Sequence, residues 1–101
     1  MLQKNGLAGQ SVLGWGNRGW VEIIEMVLEA CVNGSLKTHI MYKCNLNSKQ
    51  LAQYLRFLQD HNLIDVLEEP STTRRYVFVT TELGKKYIQA YKQLENIFSK
   101  V

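Results

Sequence analysis

Two short helical patterns around a polar turn, two β-rich runs joined by a loop, and a final segment with heptad spacing follow one another in this chain. This order predicts a mainly α fold with a small β-hairpin, namely a winged helix-turn-helix followed by a C-terminal dimerisation helix. The 101 residues suit one modest core. We expect an N-terminal arm at residues 1–17, the winged domain at 18–81 and a coiled-coil helix at 82–101.

The arm and the first helix differ sharply in pattern. Four of the seven glycines lie in residues 1–17, so we interpret this stretch as flexible or irregular, with Trp15 docking on the core. The first helix is predicted at about residues 19–32, where Ile24 and Leu28 belong to an apolar stripe. Gly34 can then take the left-handed conformation that ends a helix.

The helix-turn-helix is predicted at residues 36–61. A second helix spans residues 36–44, with Thr38 as its expected cap. After the turn at residues 44–47, Asn47 is expected to cap a third helix at residues 48–61, with Gln50 returning the hydrogen bond. The third helix has an apolar stripe at helical spacing, formed by Leu51, Leu55 and Leu58.

Polar residues on the opposite side of the third helix suggest a surface for nucleic acid. Lys49, Gln53 and Arg56 project there at 100° per residue. Arginine or lysine can read guanine, and glutamine can pair with adenine. A solvated helix face is the alternative. The predicted DNA-contacting residues are Lys37, Thr38, Lys43, Asn47, Ser48, Lys49, Gln50, Gln53, Arg56, Arg74 and Arg75.

Two strands rich in β-branched and aromatic residues follow, at residues 63–68 and Arg75–Thr80. Pro70 cannot donate to a sheet ladder and therefore belongs in the connecting loop. The hairpin is the expected wing, with Arg74 and Arg75 at its returning edge for minor-groove or phosphate contact. The acids at positions 68 and 69 could instead pair with these arginines.

The last helix is predicted to begin after Thr80 or Thr81, either of which could cap it. From Gly84 onward, apolar and aromatic residues recur at alternating steps of three and four, as in a coiled-coil seam. We expect this helix to pair two copies of the chain. A helix folded back on its own domain is the alternative. The expected dimerisation residues are Tyr87, Ile88, Tyr91, Leu94, Ile97, Phe98 and Val101.

The charge distribution favours a polyanionic partner. The net charge is only +3, but residues 30–59 contain no acid and four basic residues. The acids concentrate in the first helix and near the hairpin. Such segregation gives one face a positive potential.

Other function classes find little support in the sequence. Cys31 and Cys44 lack metal-site spacing with the two histidines, and both fit buried thiols. We find no phosphate-cradling glycine loop or catalytic grouping, and so expect no enzyme, no cofactor and no small-molecule ligand. There is no 18-residue apolar run and no evident signal peptide, so an intracellular protein without a membrane partner is expected.

With these segments in place, residues 18–101 resemble the archaeal "10a" chromatin proteins. The resemblance rests on the Lys-Thr-His-Ile-Met-Tyr run at 37–42, the Asn-Leu-Asn at 45–47, the leucine-rich third helix, and the stretch from Tyr76 into Thr-Glu-Leu-Gly-Lys-Lys-Tyr at 81–87. It implies a homodimer joined by an antiparallel coiled coil. It also implies weakly sequence-selective binding that bridges or coats DNA in the nucleoid.

The function expected is therefore a non-enzymatic double-stranded DNA-binding protein of architectural type, acting as a homodimer. A site-specific repressor would use the same winged helix, with Lys49 and Gln53 reading bases. A protein–protein adaptor is the alternative from another class, with Trp15, Trp20 and Phe57 as a candidate apolar patch.

Overall fold

The computed structural model of the chain describes residues 19–69 and 75–99, with side chains up to residue 98. The arm at residues 1–17 with Trp15, as well as Pro70, Arg74 and Val101, lies outside these ranges. The described elements are α1 (Trp20–Ala30), β1 (Ser35–Leu36), α2 (Lys37–Cys44), α3 (Ser48–Asp60), β2 (Ile64–Glu69), β3 (Arg75–Thr80) and α4 (Glu82–Ser99).

The sheet has three antiparallel strands in the order β1-β3-β2, one more than the sequence predicted. In the wing, which comprises β2, β3 and their connection, Ile64 pairs with Thr80 and Glu69 with Arg75. The additional strand β1 places Ser35 opposite Phe78. Two residues are too few to show a strand periodicity, which is why sequence reasoning missed β1. Gly34, with φ of 89°, turns the chain into it.

The helix ends follow local hydrogen bonding, with one correction. Thr38 is not the cap of α2, because β1 leads directly into that helix and leaves extended Leu36 at the N-cap without a side-chain bond. Thr38 is the second helical residue. At α4, Thr81 has the capping role, since its Oγ accepts from the amide of Gly84 at 3.0 Å. Thr80 instead donates its hydroxyl to the carbonyl of Leu28 at 2.6 Å.

One core joins the three helices of the winged domain to the sheet and to the first half of α4. The apolar stripe of α3, Leu51, Leu55 and Leu58, is buried as predicted. Both cysteines are buried in the same core. The largest fully buried side chains are Ile24, Leu28, Ile40, Leu51, Leu58, Val27, Cys31 and Cys44. Burial of this apolar surface is the main source of stability.

Helix α4 packs against α1 over its first half. The phenol of Tyr87 donates to the carbonyl of Val21 at 2.9 Å, and Ile88 and Tyr91 are buried. Lys92 lies 2.9 Å from a carboxylate oxygen of Glu29. The first part of the predicted seam is therefore covered within the chain.

Candidate nucleic-acid interface

The turn between α2 and α3 is held by local backbone geometry. Asn45 takes the left-handed conformation, with φ of 56° and ψ of 52°, which asparagine tolerates better than most residues. The amide of Leu46 donates to the carbonyl of Met41 at 3.0 Å, and the Leu46 side chain is buried. These two contacts fix the direction in which α3 leaves the turn.

A capping box begins α3, as predicted. The side-chain oxygen of Asn47 accepts from the amide of Gln50 at 2.7 Å, and the side-chain oxygen of Gln50 accepts from the amide of Asn47 at 3.0 Å. The amide oxygens of both side chains thus have structural partners. Any contact of these two side chains with DNA would therefore use their NH2 groups.

The outer face of α3 combines cationic and amide side chains. Lys49, Gln53 and Arg56 are exposed, opposite the buried leucines that anchor the helix. Asp60 is also exposed and follows Arg56 by one helical turn on the same face. The acid limits the positive part of this face to the first three turns of α3.

All ten predicted DNA-contacting residues within the described part of the chain are exposed. They are Lys37, Thr38, Lys43, Asn47, Ser48, Lys49, Gln50, Gln53, Arg56 and Arg75. Exposure makes them available to a ligand without demonstrating contact. Arg74, the eleventh, lies outside the described residues.

A cleft of about 400 Å³ separates the wing from the beginning of α2. Its lining combines apolar side chains with two cations and two hydroxyl groups, and consists of Leu36, Lys37, Thr38, Arg75, Tyr76 and Phe78. The cleft brings residues 37 and 38 together with residue 75, which are far apart in sequence. The arrangement can receive an anionic group at the first turn of α2, where helix dipole and lysine charge act together.

Two of the predicted cations already face acids. The Arg75 guanidinium lies 2.8 Å from the carboxylate of Glu69, which is the pairing that the sequence left open as an alternative. The charge of Lys43 acts on Glu29. The hydrogen bond from Lys92, with a smaller contribution from the charge of Lys43, holds the pKa of Glu29 below its usual value.

Two acids of α1, Glu25 and Glu29, face Lys92 of α4. Lys92 approaches Glu25 as well as Glu29, at 3.9 Å. Burial raises the pKa of Glu25 to about 7, and the hydrogen bond and charge of Glu29 add to the effect. These two carboxyls share one cation and compete for it. Lys92 offsets part of this negative charge on the side of α1 that meets α4.

The expected dimerisation residues fall into two groups. Tyr87, Ile88 and Tyr91 lie on the side of α4 that contacts α1, where they are half-buried or buried. Leu94, Ile97 and Phe98 are 47%, 62% and 43% exposed. Val101 lies outside the described residues. Among the described residues of the predicted seam, those still open to a second copy therefore lie at the end of α4.

Sequence reasoning assigned none of the three most exposed aromatic side chains in the described residues to the DNA surface. Tyr42 on α2 is 89% exposed, Trp20 at the start of α1 is 60% exposed and Tyr76 on the wing is 51% exposed. Only for Tyr42 does the sequence suggest a position on the DNA surface, because Tyr42 precedes Lys43 in the stretch without acids. The exposure of Trp20 and Tyr76 depends on how α3 and α2 pack.

The described residues were compared with what a metal site and a membrane-spanning helix require. Within residues 19–69 and 75–99, no group of three or more His, Cys, Asp or Glu side chains is arranged to hold a metal ion. In the same ranges, none of the helices combines the length and the apolarity needed to cross a membrane.

Comparison with known proteins identifies the same architecture elsewhere. A profile of the family described as winged helix-turn-helix matches residues 17–99. The crystal structure of Sso10a-2, a DNA-binding protein from Sulfolobus solfataricus, matches with a TM-score of 0.72 and 23% identity, over 82% of this chain and 84% of that chain. A comparison with curated proteins gave no match. The resemblance inferred from the sequence is confirmed for the fold.

Proposed function

Because the chain belongs to the winged helix-turn-helix family, we propose that it binds double-stranded DNA without catalysing a reaction. One observation carries the proposal: a capped and well-anchored α3 presents Lys49, Gln53 and Arg56 together on its exposed face. A helix of this kind fits the major groove of B-form DNA. The similar structure is itself named as that of a DNA-binding protein.

The cleft between α2 and the wing supports a second point of contact. Lys37 and Arg75 line it from two elements, and the first turn of α2 opens towards it. Phosphate contacts on both sides of α3 would set the register of the helix in the groove. Cations on α2, α3 and the wing would then supply most of the affinity.

We propose further that the protein acts as an architectural DNA-binding protein of low sequence specificity and as a homodimer. The exposed end of α4, with Leu94, Ile97 and Phe98, supports pairing of two copies. The modest net charge of +3 favours the same conclusion, since one copy has few cations to offer. Two linked copies on one DNA raise the effective concentration of each.

The test of DNA binding is a titration of mixed-sequence duplex at several salt concentrations. Counterion release makes the logarithm of the binding constant fall linearly with the logarithm of salt concentration. Replacing Lys49 and Arg56 with alanine should weaken binding and reduce the slope by roughly 0.9 for each phosphate that the variant no longer neutralises. Lys86→Ala, at an exposed lysine on α4, is the control for the loss of one positive charge outside the proposed surface and should leave the slope unchanged.

Binding that is insensitive to salt, or equally weakened by the control, would contradict this mechanism. Competition with random duplex separates the architectural function from site-specific repression. A repressor keeps its complex on one sequence in the presence of excess random duplex, whereas an architectural protein is displaced.

A further inference from the structure

An open apolar groove lies between α1 and α3, separate from the cleft beside the wing. Its volume is about 380 Å³, and its lining residues are Trp20, Ile24, Gln53, Tyr54 and Phe57. Trp20 and Phe57 are 60% and 41% exposed, while Ile24 is buried at 1%. Two large aromatic side chains therefore remain in contact with solvent beside an otherwise apolar surface, which is unfavourable unless something covers them.

We propose that the N-terminal segment of the same chain, residues 12–15, occupies this groove, with the indole of Trp15 against Trp20 and Phe57. The proposal concerns the surface between α1 and α3 and does not depend on DNA binding. It assigns an occupant to the groove and a role to a part of the sequence that the proposed function leaves unused.

The path of the chain supports this occupant. Trp20 is both a lining residue of the groove and the first residue of α1, so the preceding segment reaches α1 at the edge of the groove. Trp15 is five positions before Trp20, a span of at most about 17 Å for extended chain. A segment on so short a tether has an effective concentration of about millimolar or higher, which exceeds that of a second copy in dilute solution.

The chemistry of the segment also matches the groove. Residues 5–17 contain no charged side chain, and they include Val12, Leu13 and Trp15. The groove offers aromatic and aliphatic walls with one amide, that of Gln53. Burying an indole against Phe57 and Trp20 removes apolar area from water on both sides of the contact. Lys4 and Arg18 flank the uncharged stretch and would remain in solvent.

The two tryptophans allow a direct test by fluorescence. Trp20→Phe leaves Trp15 as the only tryptophan in the full chain. We expect its emission to be blue-shifted, and its quenching by acrylamide to be weaker than that of N-acetyltryptophanamide. Adding Phe57→Glu should shift the emission to the red and raise the quenching constant about twofold or more, because the indole loses its apolar cover.

The matched control is Leu83→Glu in the same Trp20→Phe background. Leu83 is 50% exposed and Phe57 is 41% exposed, so the two changes place the same charge at apolar positions of similar exposure on different elements. The control should leave Trp15 emission unchanged. Far-UV circular dichroism verifies that both variants keep their helices.

A second variant keeps the proposal testable if Phe57→Glu does not fold. Trp15→Ala alters a residue outside the described fold and leaves Trp20 as the only tryptophan. Its emission should then be red-shifted and more strongly quenched than that of Trp20 in a Trp15→Phe variant. Three results would overturn the proposal. Trp15 could be quenched as strongly as N-acetyltryptophanamide, or its protection from acrylamide could survive Phe57→Glu. Protection that disappears on dilution would indicate that a second copy covers the groove.

Discussion

Gly84, in the first turn of α4, lies directly against the backbone carbonyl oxygen of Leu63. A Cβ at position 84 would clash with that oxygen and would come within 2.6 Å of the Thr80 Cγ2 atom. The carbonyl belongs to the connection between α3 and β2, which cannot move without disturbing the wing. The absence of a side chain at residue 84 is what lets α4 approach the sheet.

We therefore expect Gly84→Ala to destabilise the protein by about 2–4 kcal/mol, through overpacking against backbone atoms. Helix propensity alone predicts the opposite sign, a gain of roughly 1 kcal/mol. Urea denaturation measures the difference in the free energy of unfolding. Ala90→Gly, at an exposed position of the same helix, reports the propensity effect by itself. A stabilised Gly84→Ala variant would show that α4 does not pack closely at this point.

The ion pair between Glu69 and Arg75 should limit the affinity for DNA. The guanidinium lies 2.8 Å from the Glu69 carboxylate, so phosphate has to compete with an acid for it. Glu69→Gln is expected to strengthen duplex binding by about twofold to fivefold at low salt. Asp65→Asn, at an exposed acid on the same strand, changes the net charge equally without contacting Arg75. Equal effects of the two variants would assign the change to net charge alone.

The pKa of Glu25 makes stability depend on pH. Its folded-state pKa of about 7 exceeds the ordinary value of 4.5, chiefly because burial disfavours the carboxylate. The native protein therefore keeps a proton that the unfolded chain loses, and this contribution to stability declines as pH rises from about 4.5 to about 7. Glu29, with its lowered pKa, contributes in the opposite direction.

Glu25→Gln removes this penalty and is expected to raise the free energy of unfolding by about 1–2 kcal/mol near pH 8, with little effect near pH 4.5. Urea denaturation at the two pH values measures the change. Glu82→Gln serves as the control, because the Glu82 side chain is 87% exposed. A difference that stays constant with pH would indicate that folding does not raise the pKa of Glu25.

Both cysteines should resist thiol reagents in the native protein. Cys31 and Cys44 are 0% and 1% exposed, and burial raises the pKa of Cys31 to about 12. The reactive thiolate is therefore scarce and inaccessible. We expect the native protein to react slowly with a disulfide reagent. In denaturant the reaction should become rapid and should titrate two thiols per chain. Immediate reaction of one thiol in native buffer would contradict the described core.

The end of α4 provides a test of self-association. Ile97 is 62% exposed on the apolar surface that continues the predicted seam. Ile97→Glu should shift the protein towards the monomer in sedimentation equilibrium, because a desolvated charge is costly in an apolar contact. Leu83→Glu is the control, since Leu83 is 50% exposed but lies in the first turn of α4. If both variants keep the mass of the wild type, this surface does not pair the chains.

Sequence reasoning succeeded where a feature depends on neighbours within one or two helical turns. The capping box of Asn47 and Gln50 and the buried leucine stripe of α3 were predicted correctly. Gly34 has the left-handed conformation expected of it, but it does not end the first helix, because α1 already ends at Ala30 with Cys31 as its C-cap. The exposed cationic side of α3 follows from the same periodicity. Its contact with DNA remains a prediction, because exposure alone does not identify a ligand.

The features that sequence reasoning missed depend on distant contacts. Strand β1 forms because Ser35 and Leu36 pair with the free edge of β3. Two residues are too few to predict a strand from the sequence. The role of Thr80 was not evident either, since its hydroxyl meets the Leu28 carbonyl 52 positions away. The position of Glu69 opposite Arg75 is a consequence of strand register, which the sequence left open.

The sequence by itself determined the order of the four helices and the two wing strands, the ends of α3 and the face that α3 buries, because these depend on local hydrogen bonds and on a fixed rotation per residue. The tertiary structure alone decided how the apolar stripe of α4 is divided. Tyr87 and Tyr91 lie on the side of α4 that meets α1, while Leu94 and Ile97 remain at the surface. A heptad pattern predicts which residues share one face of the helix. How much of that face remains exposed for a partner depends on where α1 packs against it.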